Sequence, residues 1–375
     1  MRSSVKKKKI LIGFLSNTIK GPIPLITREY IEALKYKYEF VPFMMERKMG
    51  RTKLASFNLW NLFYFCTHYI KWIIIIIKER PDIVHYPITS YWNMEKSLLF
   101  LTTAKWLGVE HTIGHLHGGA FIDFWNQTGK LRKRIAIRHF NRLDILIVLS
   151  ESWRKNVLQY INFEYQKVKV LHNLIDRDFE SHFLHYQRSY NKKDKVVLLG
   201  FNLMDSRKGI FDLLDAVSLI EKRDTFELVI IGDEREAGVF AKATKLISDK
   251  GLTNVEIKKG VWDAGKQEWF EKSDILLLPS YTENFPIVVI EAACAGLPVI
   301  ASEIGALPDI FNHNYDILFL HPGDVSQLSE HISRLIMDHN ERQHFGKNIK
   351  NTFEKELLGE GITKQLDSIY ENVLN

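Results

Sequence analysis

Short apolar runs separated by longer stretches of helical spacing recur along the whole chain, and this alternation restricts the fold more than any other feature. In the first half the runs are Ile10–Leu15, Tyr38–Phe43, Ile83–Tyr86, His111–His115, Ile145–Leu149 and Val168–Leu171. In the second half they are Val196–Gly200, Leu228–Ile231, Val255–Lys258, Ile275–Leu278, Val299–Ala301 and Ile317–Leu320. Runs this short and this apolar suit strands of a parallel sheet covered on both faces. The segments between them carry helical spacing, as at Ile26, Tyr30, Ile31 and Leu34, and at Leu213, Leu214, Val217 and Leu219. The pattern occurs twice within 375 residues, a length that favours two domains. The expected fold class is therefore α/β, with two doubly wound, Rossmann-like parallel-sheet domains facing a central cleft. The polar segment Asp176–Lys195 reads as an exposed linker. It divides the chain into an N-terminal domain over 1–175 and a second over 176–355, with a C-terminal helix over 356–375 expected to pack back on the first.

Charge separates the two halves. Residues 1–175 hold 28 basic and 12 acidic side chains, a net of +16, and the remainder holds 23 and 33, a net of −10. The formal total of +6 conceals this, and the asymmetry points to different partners for the two halves. A composition of 46% hydrophobic and 26% charged residues excludes a disordered or fibrous chain. Two cysteines, Cys66 and Cys294, exclude a disulfide framework and a four-cysteine zinc site, and both read as small buried residues of a protein in a reducing cytosol. The apolar segment Tyr69–Ile77 is interrupted by Lys71 and ends at Lys78, Glu79 and Arg80, well short of the ~20 residues needed to span a bilayer. Any membrane contact is then peripheral. Ile10–Leu15 is too short for the core of a signal peptide.

The most specific stretch is Pro279–Gly305, PSYTENFPIVVIEAACAGLPVIASEIG. A strand ends at Leu278, a loop carries Glu283, and Phe285-Pro286 opens a helix with proline in its first turn. That helix carries Glu291, eight residues beyond Glu283, and stops at Gly296. Backbone N–H groups at such a helix start, with about half a positive charge from the aligned peptide dipoles, can hold a diphosphate. Two isolated glutamates would read as solvated side chains. These are not isolated.

The region resembles the Glu-x7-Glu motif of the retaining glycosyltransferase family 4, among the group 1 glycosyltransferases, which has the GT-B fold. Val170–Asp176 is similar to the family's interdomain V-x-x-N-G-x-D segment, with Leu174 in place of Gly. Leu228–Asp233 is similar to its L-x-I-x-G-D-G strand end, with Glu234 replacing the last Gly. Val255–Gly260 and His321-Pro322-Gly323-Asp324 match two later pieces, so the likeness is dense over 168–340 and thinner before. The resemblance implies that Glu291 binds the donor's ribose and Glu283 the transferred sugar. It implies that the backbone over Asn284, Phe285, Pro286 and Ile287 cradles the diphosphate and that Lys208 neutralises it. A Lys can do this for a departing diphosphate without a metal. The Arg that often follows the family's strand glycine is missing, since Phe201 follows Gly200, and Arg207 is the candidate replacement.

In the first half, His115-Leu116-His117-Gly118-Gly119 follows a strand directly. Paired glycines let backbone approach a ligand, and the resemblance places His117 against the donor sugar, with His115 buried. A His-x-His metal site lacks a third ligand at suitable spacing, and Asp176-Arg177-Asp178 reads as solvated linker, so no metal and no cofactor is expected. Gly21 is similar to the family's glycine loop on the acceptor side, with one glycine of the usual pair; Gly118 and Gly119 join it there.

The expected activity is retaining transfer of a hexose from a UDP- or GDP-linked sugar to a saccharide or lipid-linked saccharide, as in bacterial lipopolysaccharide, capsule or exopolysaccharide assembly. Basic residues (Lys6–Lys9, Arg47, Lys48, Arg51, Lys53, Lys130, Arg132–Arg134) beside the aromatic run from Leu59 to Ile77 suit an anionic membrane interface; the competing reading of that run is a buried helix. The expected location is the cytoplasmic face of the inner membrane. No nucleic-acid motif accompanies the basic half, and no nucleic-acid partner is expected. A sugar-nucleotide epimerase of similar fold and a catalytically silent two-lobed binding protein are the alternatives.

Overall fold

A computed structural model describes residues 6–17, 21–45, 59–190, 194–261 and 264–375. Arg47, Lys48, Arg51 and Lys53 of the basic surface lie outside the described residues, as do the side chains of Leu59 and Trp60.

The chain divides into two compact units, one made of Met1–Asp176 with Gly359–Asn375 and the other of Arg177–Leu358. The first unit runs β1 (Lys9–Leu15), α1 (Pro22–Leu34), β2 (Glu39–Met44), α2 (Leu59–Glu79), β3 (Ile83–Ile88), α3 (Trp92–Trp106), β4 (His111–Leu116), α4 (Phe121–Gln127), α5 (Lys130–Phe140), β5 (Ile145–Val148), α6 (Glu151–Tyr160) and β6 (Val168–Val170). The second runs α7 (Arg177–Leu184), β7 (Val196–Phe201), α8 (Ile210–Ser218), β8 (Phe226–Ile231), α9 (Val239–Asp249), β9 (Val255–Lys258), α10 (Ala264–Lys272), β10 (Ile275–Leu278), α11 (Ile287–Cys294), β11 (Val299–Ser302), α12 (Leu307–Ile310), β12 (Leu318–Leu320), α13 (Val325–Met337) and α14 (His339–Glu356). The last helix, α15 (Gly359–Leu374), belongs to the first unit.

Each unit is built on a six-stranded sheet, in the orders β2-β1-β3-β4-β5-β6 and β12-β11-β10-β7-β8-β9. All pairings are parallel. Strands such as Ile145–Val148 and Ile275–Leu278 are buried along their whole length, as a sheet covered on both faces requires. In the second sheet the chain moves outward from β7 to β9 and then returns to the other side of β7 as β10. The strand order thus reverses between β7 and β10, and in sheets of this kind ligands bind beyond the carboxyl ends at that point. The equivalent reversal in the first sheet lies between β1 and β3.

Two expectations need correction. The segment after Asp176 is not an exposed linker at its start: α7 packs Phe179 and Phe183 into the second unit, with Phe179 edge-on to Phe270 at 5.2 Å. Arg188 then donates to the carbonyls of Ala295, Ser273 and Phe270, and the Tyr190 hydroxyl donates to Gly296 O at 2.7 Å. Polar composition concealed an apolar pair at helical spacing. Cys66 is exposed on α2 rather than buried, whereas Cys294 is buried.

Candidate functional site

In the second unit, two loops meet beyond β7 and β10. The first carries Arg207, Lys208 and Gly209. Gly209 is left-handed at φ 70°, and a Cβ there would lie 1.9 Å from Pro279 O, so only glycine lets the loops touch. Tyr281 N–H donates to Arg207 O at 2.8 Å and fixes their register. With the loops so joined, Lys208 Nζ donates to Glu283 Oε1 at 2.6 Å, and Ser280 Oγ donates to the same oxygen at 3.2 Å. Lys208 and Glu283 are both largely shielded from solvent.

Pro286 stands at the N-cap of α11, one residue earlier than its expected place in the first turn. Proline has no N–H to donate, and among the described residues no side chain caps this helix start. Its first-turn N–H groups are therefore not engaged by a capping side chain. Asn284, Phe285 and Pro286 are buried and Ile287 is half-buried.

Glu291 lies on the fifth residue of α11, 1% exposed, and accepts a hydrogen bond from Lys266 Nζ at the start of α10. The Lys266 ammonium also sits 5.3 Å from the ring centre of Phe201, 5.7 Å from that of Phe179 and 6.0 Å from that of Phe270, within reach of cation–π attraction. Sequence reasoning missed Lys266. The one hint was the missing cation at Phe201: the side chain standing there in its place is an aromatic ring, and a lysine from a different strand–helix unit is held over that ring.

Arg207 is committed to a carboxylate. Its Nε and Nη2 donate to Asp205 Oδ1 and Oδ2 at 3.0 and 2.6 Å. Burial pushes the Asp205 carboxyl up, but the Arg207 hydrogen bonds and the charges of Arg207 and Arg235 together hold the group below its usual range.

The first unit brings together three histidines. His85 on β3 and His115 on β4 are buried, and His117 follows β4, with its N–H donating to Ile88 O at 2.8 Å. His85 Nδ1 meets the Tyr370 hydroxyl of α15 at 2.7 Å, His85 Nε2 meets His115 Nδ1 at 3.3 Å, and the rings of His115 and His117 lie 4.0 Å apart. Burial pushes His85 down to about 3 and His117 down to about 4, and holds His115 well below its ordinary value, so all three are neutral imidazoles near pH 7. They line a small cavity with Tyr30 and Thr27. Gly118 lets the loop approach the neighbouring one, since a Cβ there would lie 2.7 Å from Ser90 N. Gly119 continues that turn, and Gly21 is the N-cap of α1, with Pro22 behind it. Among the described residues no group of three or more His, Cys, Asp or Glu could hold a metal ion.

The family profile described as "Glycosyl transferases group 1" matches residues 185–352, and that described as "Glycosyltransferase Family 4" matches residues 41–179. An uncharacterised glycosyltransferase of Methanocaldococcus jannaschii is 26% identical over 243 residues, which is 60% of this chain and 59% of that protein. The capsular polysaccharide biosynthesis glycosyltransferase CapM of Staphylococcus aureus is 24% identical over 321 residues, 81% of this chain and 80% of CapM. Among solved structures, Anabaena HepE in complex with UDP-glucose superposes with a TM-score of 0.74 at 17% identity, covering 97% of this chain and 99% of HepE. That likeness concerns the fold, which is the GT-B class.

Proposed function

The chain belongs to the group 1 glycosyltransferases of family 4, and from that premise we propose that it transfers a sugar, with retention, from a nucleoside diphosphate to a saccharide or lipid-linked saccharide in bacterial surface-polysaccharide assembly. The observation that carries this reading is the Lys208–Glu283 pair at 2.6 Å, set where the second sheet reverses its order and next to the start of α11. A cation and a helix start stabilise the charge that grows on a departing diphosphate, and a carboxylate accepts hydrogen bonds from sugar hydroxyls. Glu291 receives the ribose hydroxyls, and Lys266 holds its carboxylate in place. Bound donor competes with Glu283 for Lys208, so the ion pair opens on binding and reforms on release.

The transfer itself is a front-face exchange. The bond between the anomeric carbon and the diphosphate oxygen breaks, the acceptor oxygen bonds to that carbon on the same face, and the acceptor's proton passes to the departing diphosphate. This chemistry needs no metal, because Lys208 supplies the charge. His117, neutral at pH 7, offers a hydrogen bond to the sugar without adding charge. Arg207, already forked onto Asp205, serves the donor site by holding its loop. The similarity to CapM supports a polysaccharide setting, and a lipid-linked acceptor accounts for the strongly basic first half through an anionic membrane surface at the cytoplasmic face.

Thermal shift with UDP, GDP and their sugars tests the donor assignment, because a ligand of the native state raises the melting temperature as its concentration exceeds its Kd. Lys208→Ala and Glu291→Ala should abolish transfer in a protein that still melts cooperatively. Full transfer by both variants would remove the assignment. Conversion of donor without any acceptor would indicate epimerisation.

A further inference from the structure

The first unit presents an outward side that does not look like the surface of a protein meant to face only water. The steps β2 to β3, β3 to β4 and β4 to β5 all run in one direction across the sheet, so right-handed crossovers put α2, α3 and α5 on one side of it. Their contacts agree: Trp72 Nε1 of α2 donates to Phe100 O of α3 at 2.9 Å, and Thr102 Oγ1 of α3 meets His139 Nδ1 of α5 at 2.7 Å.

The inward face of α2 is ordinary, with His68, Trp72 and Ile76 buried. Its opposite face should be polar and is not. Leu62, Phe63, Cys66, Ile70, Ile74 and Ile77 are exposed there, at spacings that form one stripe along the helix, and the five apolar residues among them are 44% to 62% exposed. Contiguous exposed apolar surface of this kind marks an interaction site. The helix carries Lys71 and Lys78 on its exposed residues, while Glu79 at its end is bound to Lys9. Beside it, α3 exposes Trp92 and Trp106, with Arg132 over the first ring and Arg142 over the second. The neighbouring α5, KLRKRIAIRHF, has no acidic residue, exposes Leu131 and Ile135, and carries Lys133, Arg134 and Arg138.

We propose that this side of the first unit docks on an anionic lipid bilayer, with the α2 stripe at the boundary between headgroups and acyl chains, the two tryptophans at headgroup level and the α5 cations on lipid phosphates. Charge decides among possible occupants. A second copy seated on this face would bring its own acid-free run of cations against this one. An anionic bilayer answers both halves of the surface, the apolar stripe and the charge, at once. No described helix is long and apolar enough to cross a membrane, so the contact is with the surface. The inference locates the membrane partner of the proposed function on particular helices, and it rests on that reading for its purpose.

The test uses the whole chain and vesicles of phosphatidylglycerol in phosphatidylcholine, with pure phosphatidylcholine as the comparison. Cys66 lies in the stripe and Cys294 is buried with its thiol pushed up by desolvation, so a polarity-sensitive maleimide dye reports from Cys66 alone. Sedimentation with the anionic vesicles, release by high salt and a blue shift of the dye are the expected results. Ile70→Glu with Ile74→Glu, both at exposed positions, should abolish sedimentation, and Lys133→Gln with Arg134→Gln should weaken it on the order of twentyfold. Absence of sedimentation, equal binding to neutral vesicles, or a concentration-dependent dimer that the Ile70→Glu/Ile74→Glu variant dissolves would each overturn the proposal. UDP or GDP thermal shifts on the same variants report on the donor site separately, so a failed docking face and a failed transferase assignment are distinguishable.

Discussion

Lys266 and Glu291 form an ion pair with the carboxylate almost wholly removed from water and the ammonium ringed by three phenylalanines. Removing one partner of such a pair leaves a buried charge, at a cost of about 3 kcal/mol. Lys266→Met should lose about that much stability in urea unfolding, and adding Glu291→Gln should recover most of it; independent, additive losses would show that the two side chains are not coupled. The histidines of the first unit predict a pH effect of definite sign. Their folded pKa values lie below the ordinary 6.5, so the unfolded chain binds more protons. Their contribution is complete above pH 6.5 and is lost as pH falls toward 4 for His117 and toward 3 for His85. His85→Gln should therefore flatten the fall in melting temperature between pH 6.5 and 4, and an unchanged slope would contradict the burial argument. At this scale sequence reading was uneven. Glu283, Glu291 and Lys208 could be named from the sequence only through the family resemblance, since two glutamates eight residues apart read by themselves as solvated side chains. Lys266 could not, because nothing local distinguishes a lysine at a helix start from a solvated one.

Elements were more legible than side chains. Short, mostly apolar runs of three to six residues leave few options but a buried strand, and all twelve such runs became strands with ends shifted by a residue or two. Amphipathic helices followed from the same pattern. The exceptions have physical causes. The start of the supposed linker is a helix, because Phe179 and Phe183 bury one side of an otherwise polar segment. The aromatic run became a helix with one buried and one exposed apolar face, a division that a sequence apolar on both faces does not display. Loop-to-loop contact was also out of reach, and Gly209 shows what it controls. Gly209→Ala must push the Lys208 loop off Pro279, so it should reduce the stabilisation by UDP or GDP about tenfold in apparent affinity. Gly238→Ala is the control, since Gly238 has φ 86° but no atom within 4 Å of an added Cβ. Equal effects from both would mean that strain, not the loop contact, matters.

For the whole molecule, composition divided the chain at nearly the same place as its contacts do, with net charges of +16 and −10 on either side of residue 175. The part that composition cannot reveal is the return of the last helix. α15 closes the first unit through Lys37 Nζ to Asp367 Oδ2 and Tyr38 OH to Asp367 Oδ1, both at 2.7 Å, and through Tyr370 against His85. Tyr370 is fully buried, and its loss would open the interior of the first unit to water. Truncation before Gly359 should lower the melting temperature of the first unit and expose it to limited proteolysis while the second unit keeps its donor response; a truncated chain as protease-resistant as the intact one would contradict this.

That return also orders events during synthesis. The first unit emerges from the ribosome early, yet the helix that seals Tyr30, Tyr38 and His85 is made only after the whole second unit. The second unit is continuous and has all its parts beforehand. At about 5–20 residues per second of translation, the older unit waits on the order of ten seconds or more, unsealed, for the younger one to be completed. During that interval its apolar α2 face and its open interior are both available, which makes nascent chains at this stage natural clients for chaperones.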